Sequence, residues 1–195
     1  MASRREHIAR CATRIMVHKG FDKVSTQEIA DACGMTVGSL YRYIGTKEDI
    51  IYLIMQNLIH PQKFFEDVDA NLSKMSARET LNWAIDKYYR LIDELQDVIL
   101  FGYQETKNMN LDFREVIFQA DTFIFSAFIK IIDQGRKKGE FDIHDIQFVV
   151  EDIVVAGQMW AVRRWYLRKK YTLDEYIKKR IELTFKIIGA DPVTV

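Results

Sequence analysis

A group of hydroxyl and cationic side chains stands close together between residues 36 and 47 of this 195-residue chain. Its members are Thr36, Ser39, Tyr41, Arg42 and Lys47. Proteins use hydroxyls and cations to contact phosphate oxygens and the edges of bases. Gly38 lies among them and has no side chain, so the backbone there can approach a ligand closely. The segment predicts contact with nucleic acid, although none of these side chains is an obvious reader of one particular base.

Cap and turn residues predict a short helix in front of this group. Ser25 or Thr26 is placed to cap that helix, and Glu28 follows at the distance that serves the exposed amides. The side chains expected to face inward are Ile29, Ala30 and Cys33. Gly34 then stands where the helix would stop in the left-handed region, which a residue without Cβ adopts at least cost.

A second helix is predicted over Val37 to Tyr43, with Thr36 as its cap and with Leu40 and Ile44 pointing inward. Two short helices joined by a glycine turn are typical of a helix-turn-helix, whose second helix enters a major groove. The alternative is a small helical substructure with no role in nucleic-acid binding, because such caps and glycine stops occur in any helical protein.

A further helix is predicted over residues 47–59, with Thr46 as its cap. Lys47 would then lie in the first turn, where a cation opposes the helix dipole, so a nearby phosphate would explain its position. This helix is longer than the predicted helix-turn-helix module needs. We therefore expect it to link that module to the rest of the chain.

Residues 4 to 55 resemble the DNA-binding domain of the TetR/AcrR family of bacterial one-component repressors. The stretches that match the family pattern are Gly20-Phe21, Thr26 to Ala30, Cys33 to Ile44 and Thr46 to Ile50. The departures are apolar exchanges or equivalent caps. The resemblance implies phosphate contacts by Thr26, Thr36, Tyr41, Tyr43 and Lys47. It places Val37, Gly38 and Arg42 nearest the bases.

The formal net charge of the whole chain is zero, but residues 1–51 contain eight Lys or Arg against six Asp or Glu, a balance of +2. Because the module is only weakly basic, we expect binding to need two copies of it. Arg4 and Arg5 would reach toward the DNA backbone or the minor groove. The alternative is that Arg4 and Arg5 form a solvated, frayed start of the chain.

The composition favours an almost wholly helical protein of the cytoplasm. The 48% apolar and 12% aromatic content excludes disorder, and two prolines, nine glycines and no sustained alternation predict an all-α fold. No stretch reaches the ~18 to 20 apolar residues of a membrane span, and the charged start is unlike a signal peptide.

The four histidines are scattered and no catalytic motif is present, so we expect no enzymatic activity, no metal and no cofactor. Cys11 and Cys33 fall on predicted inward faces and are interpreted as small buried apolar residues, with a redox switch as the alternative.

His60-Pro61 is predicted to end the linking helix, because proline removes a helical donor. We expect a helix-turn-helix DNA-binding domain over residues 1–50. A larger helical ligand-binding and dimerisation domain, the body, is expected over residues 51–195. In the second domain the apolar spacing predicts helices over 77–95, 97–107, 110–138, 143–169 and 172–188. Capping boxes are predicted at the starts of the first and last of these, formed by Ser76 with Glu79 and by Thr172 with Glu175. Residues 62–75 are left open as helix or loop.

The last two predicted helices have apolar residues on more than one side, whereas a surface helix of a monomer needs only one apolar stripe. In the final helix the second stripe consists of Tyr176, Leu183 and Ile187. We expect residues 143–188 to bury one face in the body and the other against a second copy, which gives a homodimer. The alternative is an unusually thick monomer core.

The body also has a surplus of large aromatic and Met side chains, most of which are expected to be core. Together with isolated polar groups they suit an apolar pocket with a few directional contacts. The candidate ligand-binding residues are Met55, Trp83, Tyr88, Phe101, Tyr103, Gln104, Phe113, Phe123 and Trp160.

Within the resembled family, the run from Gln104 to Asn108 and the stretch from Trp160 to Tyr166 look like regulators that respond to acyl-CoA thioesters. Basic residues such as Arg163, Arg164, Arg168 and Lys169 could meet a CoA phosphate or could form a solvated helix end. We expect a dimeric repressor of operator DNA that a small hydrophobic effector releases. The alternative keeps the DNA-binding domain and makes the body a protein-interaction platform with no small effector.

Overall fold

The computed structural model of the protein describes residues 3–47, 49–58, 61–105 and 111–192. All regular secondary structure in these ranges is helical, which confirms the predicted all-α fold. The helices are α1 (Arg4–Lys19), α2 (Thr26–Ala32), α3 (Val37–Leu40), α4 (Asp49–Leu58), α5 (Pro61–Leu72), α6 (Ala77–Glu94), α7 (Gln96–Glu105), α8 (Leu111–Lys137), α9 (Ile146–Val162), α10 (Arg164–Leu167) and α11 (Leu173–Ile187). Among the described helices, none combines the length and the apolar character that a membrane crossing requires.

The chain forms two compact units. The first consists of Met1–His60 with Leu95–Gln119, and the second consists of Pro61–Glu94 with Ala120–Val195. The polypeptide therefore passes from one unit to the other three times, the last time within α8. The functional division at residue 50 stays a prediction.

Helix α1 lies at the centre of the first unit and packs against α4, α7 and α2. It begins at Ser3, whose hydroxyl accepts a hydrogen bond from the Glu6 amide at 3.1 Å, and it ends at Gly20, where φ is 84°. The buried side chains of α1 and α4 include Ile8, Ala12, Met16, Ile50 and Ile54. Cys33 is buried as predicted. Cys11 is only half-buried, so the prediction of an inward position is wrong for that residue.

Helix α6 lies at the centre of the second unit and packs against α5, α9 and α11. A capping box starts it, as predicted: Ser76 Oγ accepts from the Glu79 amide at 3.2 Å, and Glu79 Oε2 accepts from the Ser76 amide at 2.9 Å. The Glu140 carboxylate accepts from the amides of Ala77 and Arg78 at 3.3 and 3.1 Å. These bonds tie the turn after α8 to the start of α6.

The contact between α6 and α9 is close because a glycine lies in it. The hydroxyls of Tyr88 and Tyr89 on α6 donate to the carbonyls of Val154 and Ile153 on α9, at 3.3 and 3.0 Å. A Cβ on Gly157 would lie 2.7 Å from Tyr88 Cε1 and 2.9 Å from Tyr89 Cε1. Both distances are too short for a real Cβ contact, so the two helices can meet in this way only without a side chain at that position.

The prediction of one helix over residues 143–169 is wrong. Helix α9 begins at Ile146 because the Asp145 carboxylate accepts from the Phe148 amide at 3.0 Å and caps it. The helix ends at Val162, and Arg163, with φ −106° and ψ 25°, separates it from the short α10. Neither proline nor glycine marks this break, so the apolar spacing alone does not reveal it.

The placement of Tyr176 in an outer stripe of α11 is also wrong. Its ring stacks on Trp160 with the centroids 5.1 Å apart, and its hydroxyl donates to the Ala156 carbonyl at 3.0 Å. A tyrosine can face inward here because the carbonyl of α9 accepts its proton. The open question about residues 62–75 is resolved by α5, which ends at Leu72.

Replacing Gly157 with Ala should destabilise the protein by roughly 1 to 3 kcal/mol, the usual cost of adding a methyl group to a closely packed contact. Thermal unfolding followed by circular dichroism measures the change. The matched control is Gly102→Ala on α7, where an added Cβ meets nothing within 4 Å and the gain in helix propensity should leave the melting temperature unchanged or higher. Equal melting temperatures for G157A and the native chain would contradict the close contact.

Candidate nucleic-acid interface and effector site

A capping box holds the start of α2. Ser25 Oγ accepts from the Glu28 amide at 3.2 Å, and Glu28 Oε2 accepts from the Ser25 amide at 2.8 Å, as predicted. Glu28 Oε1 also accepts from Lys19 Nζ at 2.5 Å. The bond from Lys19, followed by those from Ser25, lowers the pKa of Glu28 to about 2. The carboxylate is therefore charged throughout the neutral range and fixes α2 to the end of α1.

The turn between α2 and α3 is closed by backbone hydrogen bonds onto α2. Gly34 has φ 61° and its amide donates to the Asp31 carbonyl at 3.0 Å, while the Met35 amide donates to the Ala30 carbonyl at 2.9 Å. This confirms the predicted glycine stop. Thr36 then caps α3, with Oγ1 accepting from the Ser39 amide at 3.2 Å.

Helix α3 is shorter than predicted. It spans Val37–Leu40, and the prediction that it continues to Tyr43 is wrong. The amides of Arg42 and Tyr43 donate to carbonyls three residues back, at 3.4 and 2.9 Å, so the chain tightens into turns. Leu40 and Ile44 are buried, as predicted, and their burial fixes this stretch to the protein interior.

The hydroxyl and cationic side chains of residues 36–47, the recognition segment, lie on the outer side of α3 and the turns after it. Tyr41 is 48% exposed, and Thr36, Gly38 and Arg42 are exposed as well. Val37, Ser39 and Tyr43 are partly exposed, as is Thr26 at the start of α2, and Arg4 is exposed at the start of α1. The structure therefore leaves donors of several kinds exposed or partly exposed on and near a short helix.

Lys47 is not in a helix. Helix α4 starts at Asp49, so the argument from a cation in its first turn is wrong. Lys47 Nζ donates to the Asp22 carbonyl at 3.3 Å and lies 4.5 Å from the centroid of the Phe21 ring. Contacts within the protein therefore explain its position. An ammonium group has three donors, so others remain for a phosphate.

The Asp49 carboxylate fixes the loop in front of α4. It accepts hydrogen bonds from the amides of Thr46 and Gly45, both at 2.8 Å, and these bonds lower the pKa of Asp49. The Thr46 hydroxyl accepts from the Asp49 amide at 3.3 Å in return. The loop that holds Lys47 is thus determined by its own polar contacts.

The predicted ligand-binding residues are divided between the two units. Phe101, Tyr103 and Gln104 belong to α7 in the first unit, where Phe101 is buried and the other two are exposed. The side chains of Met55 and Phe113 lie outside the described part of the structure, as do residues 106–110. Within the first unit these residues do not enclose a common site among the side chains that are described.

In the second unit two of the four predicted residues, Tyr88 and Trp160, are buried in the core, and Trp83 is half-buried. Phe64 brings two of them together, because its ring stacks on Trp83 at 6.3 Å and packs against Tyr88 at 6.1 Å. Trp160 lies elsewhere, and its Nε1 donates to Asp93 Oδ1 at 2.7 Å. The polar atoms of Tyr88 and Trp160 are therefore already satisfied within the protein. Phe123 is half-buried on α8.

An open groove lies around the C-terminal end of α6 and the turn after α10. Its volume is about 550 Å3, and its lining comprises Asp93, Trp160, Arg168 to Leu173 and Glu175. Arg168 donates to Asp93 Oδ1 at 2.5 Å, and Lys170 lies 4.6 Å from the centroid of the Tyr166 ring. Lys169 is exposed. The sequence signal for this groove is a run of five cations without an acid between residues 163 and 170.

A polar pair that the sequence analysis missed joins α8 to α9. Gln158 Nε2 donates to Asp121 Oδ1 at 3.4 Å, and burial raises the pKa of Asp121. The only sequence signal is a carboxylate within an apolar helix. Among the described residues, no group of three or more His, Cys, Asp or Glu is arranged to hold a metal ion.

Residues 8–52 match the model of the family described as bacterial regulatory proteins, tetR family. This stretch contains α2, α3 and the whole recognition segment. This stretch is a TetR-family N-terminal domain. Of the residues predicted to contact DNA, only Arg4 lies outside the matched stretch.

A curated relative and two solved structures extend the likeness beyond that stretch. The HTH-type transcriptional regulator HbdR of Aromatoleum sp. is 23% identical over 181 residues, which cover 92% of this chain and 78% of HbdR. FadR from Bacillus subtilis in complex with stearoyl-CoA has a TM-score of 0.73 at 22% identity, over 93% of this chain and 98% of that one. AibR in complex with isovaleryl coenzyme A and operator DNA has a TM-score of 0.75 at 19% identity, over 93% of this chain and 97% of AibR. The likeness to these two structures shows that the shared fold extends through the second unit.

Proposed function

We propose that this protein is a one-component transcriptional repressor of the cytoplasm, not an enzyme, which binds operator DNA as a dimer and is released by a hydrophobic effector. The observation that supports it best is the group of exposed and partly exposed donors on a capped turn and short helix within the stretch that matches the TetR family. The proposed DNA contacts are Arg4, Thr26, Thr36, Val37, Gly38, Ser39, Tyr41, Arg42, Tyr43 and Lys47.

The chemistry of these groups suits phosphate positioning more than base readout. Hydroxyls and a lysine bind phosphate oxygens without regard to sequence, whereas a planar guanidinium such as that of Arg42 can bond a guanine edge in two places. Gly38 leaves the start of α3 without a side chain, so the duplex can approach the backbone. Sequence preference would then depend on few side chains and on the spacing of two copies.

Replacing Arg42 with Ala should weaken binding to a duplex that the native protein selects from a random pool. One lost base or phosphate contact corresponds to roughly 1 to 3 kcal/mol. Fluorescence anisotropy at several salt concentrations measures the change. The matched control is Lys74→Ala, which removes one exposed cation from the second unit and should leave affinity and salt dependence unchanged. If both variants bind equally well, the recognition segment does not contact DNA.

The dimer is supported by large apolar side chains left exposed on α9 and α11. Phe148 is 70% exposed and Val155 46% on α9, and Leu183 is 44% exposed and Ile187 47% on α11. The opposite faces of the two helices pack inside the second unit, where Val150, Ile153, Ile177 and Phe185 are buried. Adjacent exposed apolar residues of this size mark an interaction surface, and a second copy of the same surface is its commonest partner.

The double substitution Leu183→Glu and Ile187→Glu should convert a dimer into single chains of 23.0 kDa, because burying two carboxylates in an apolar interface is costly. Sedimentation equilibrium measures the mass. Lys137→Glu, which changes an exposed side chain at the end of α8, should leave the dimer intact. A native protein that sediments as one chain would exclude this interface.

An acyl-CoA thioester is the effector that we propose. Such a molecule has an apolar chain, which suits an aromatic-rich body, and an anionic nucleotide, which suits the groove beside residues 163–170. The solved complexes of FadR with stearoyl-CoA and AibR with isovaleryl coenzyme A support this choice. In the groove Arg168 is engaged by Asp93, so Lys169 and Lys170 are the cations that we assign to phosphate.

Palmitoyl-CoA should weaken operator binding by about 5- to 150-fold, the usual range of coupling between two sites, and DNA should weaken palmitoyl-CoA binding by the same factor. The variant with both Lys169→Ala and Lys170→Ala should need more palmitoyl-CoA for the same release and should bind DNA normally. Palmitate without CoA is the ligand control, and Lys74→Ala is the variant control. If acyl-CoA changes neither DNA affinity nor melting temperature, the body is better interpreted as a protein-interaction platform.

A further inference from the structure

One tryptophan of the chain is far more exposed than the other two. Trp165, on α10, is 66% exposed, whereas Trp160 is 2% exposed and Trp83 is half-buried. A single exposed apolar side chain needs no explanation by itself. Trp165 becomes informative because of the groups around it, and it belongs neither to the proposed DNA contacts nor to the exposed apolar residues of α9 and α11.

Cationic side chains surround Trp165. Residues 163–170 contain five Lys or Arg and no acid. The ring centroids of Trp165 and Tyr166 are 5.8 Å apart. The Tyr166 ring centroid in turn lies 5.0 Å from the Arg163 guanidinium carbon and 4.6 Å from Lys170 Nζ. Tyr166 therefore has the exposed indole and two positive charges beside it.

The groove of about 550 Å3 begins at the same place, because Lys170 is part of its lining. Lys169 also belongs to the lining, and both lysines are exposed. The two carboxylates of the lining, those of Asp93 and Glu175, already accept hydrogen bonds within the protein. A ligand in the groove would thus meet ammonium groups on the side that faces Trp165.

The start of α11 adds backbone donors to the groove. Its capping box engages the amides of Thr172 and Glu175. The first amides of a helix have no carbonyl partner within that helix, and the box does not engage those of Leu173 and Asp174. Leu173 belongs to the lining. An anion in the groove can therefore be bound by helix amides as well as by lysines.

We propose that Trp165 and this groove form a nucleotide-binding subsite, in which the indole stacks on a purine base and Lys169, Lys170 and the first amides of α11 bind the phosphates. Stacking on an aromatic ring next to cations is a common way to bind a nucleotide base with its phosphates. In an acyl-CoA the adenosine bisphosphate is the part that fits. The inference thus rests on the proposed function for the identity of the effector, and Trp165 makes the protein prefer CoA esters to thioesters that lack the nucleotide.

Charge favours a nucleotide over a second copy of the chain as the occupant. A second copy that met this surface with its own would bring two sets of cations together, and like charges in an interface cost free energy. A nucleotide brings negative charge instead. The dimer surface proposed on α9 and α11 differs from this one, because its exposed side chains Phe148, Val155, Leu183 and Ile187 are apolar.

Adenosine 3′,5′-bisphosphate, titrated into the full chain without DNA, tests the subsite directly. Binding should quench the fluorescence of Trp165, because a stacked base quenches an indole. Trp165→Ala should weaken binding by about 5- to 150-fold, the usual loss for one base stacked on an aromatic side chain, as measured by calorimetry. Trp165→Phe should keep most of the affinity and lose the quenching, since a phenyl ring stacks on a base but does not fluoresce as an indole does.

Palmitoyl-CoA and palmitoyl-pantetheine are the matched pair of ligands, because they share the acyl chain and the thioester and differ in the nucleotide. The native chain should bind palmitoyl-CoA more tightly, and W165A should lose most of that difference. The control Phe118→Ala removes another aromatic side chain that is 66% exposed and should keep the difference. Sedimentation equilibrium shows whether W165A has the same mass as the native protein.

Three results would overturn the proposal: no binding of the bisphosphate, equal affinities of W165A and the native chain for it, or a W165A that dissociates where the native chain is a dimer. The last result would assign Trp165 to the dimer surface. Failure of the proposed function looks different. A native chain that binds the bisphosphate through Trp165 but stays on DNA in palmitoyl-CoA supports the subsite, with a free nucleotide as its ligand, and contradicts the proposed effector.

Discussion

The position of α3 depends on the backbone hydrogen bonds that end α2. The amides of Cys33 and Met35 both donate to the Ala30 carbonyl, at 3.1 and 2.9 Å, so the turn closes onto α2 and not onto α3. Gly34 supplies the reversal with φ 61°. A helix of four residues is too short to be stable by itself. Its direction is therefore imposed by this turn on one side and by the burial of Leu40 on the other.

In the second unit, tyrosine side chains hold α9 in place through hydrogen bonds from their hydroxyl groups. Tyr88, Tyr89 and Tyr176 each donate a hydroxyl hydrogen bond to a carbonyl of α9. Such bonds let large rings enter the core without an unsatisfied polar atom, and they fix α9 against α6 and α11. An aromatic surplus is thus explained first by the way in which α9 is held. Side chains free to bind an effector must be sought among those without such a bond.

The sequence predicts interactions between residues a few positions apart. It does not predict interactions whose partner lies far along the chain. The capping boxes at Ser25, Ser76 and Thr172 each join residues three apart, and all three form as expected. By contrast, Lys47 bonds to a carbonyl 25 residues away and Trp160 to a carboxylate 67 residues away. Neither apolar spacing nor cap chemistry contains information about such pairs.

The small positive charge of residues 1–51 and the apolar faces of α9 and α11 together make DNA affinity depend on the joining of two copies. A module with a balance of +2 releases few counterions when it binds DNA, so one copy gains little affinity at physiological salt. Joining two copies makes the second contact intramolecular, which raises the overall affinity by about 10² to 10⁴ if the geometry permits both contacts. Affinity then depends on the spacing of the two recognition segments more than on any side chain in them. A regulatory input needs only to change that spacing in order to release both copies.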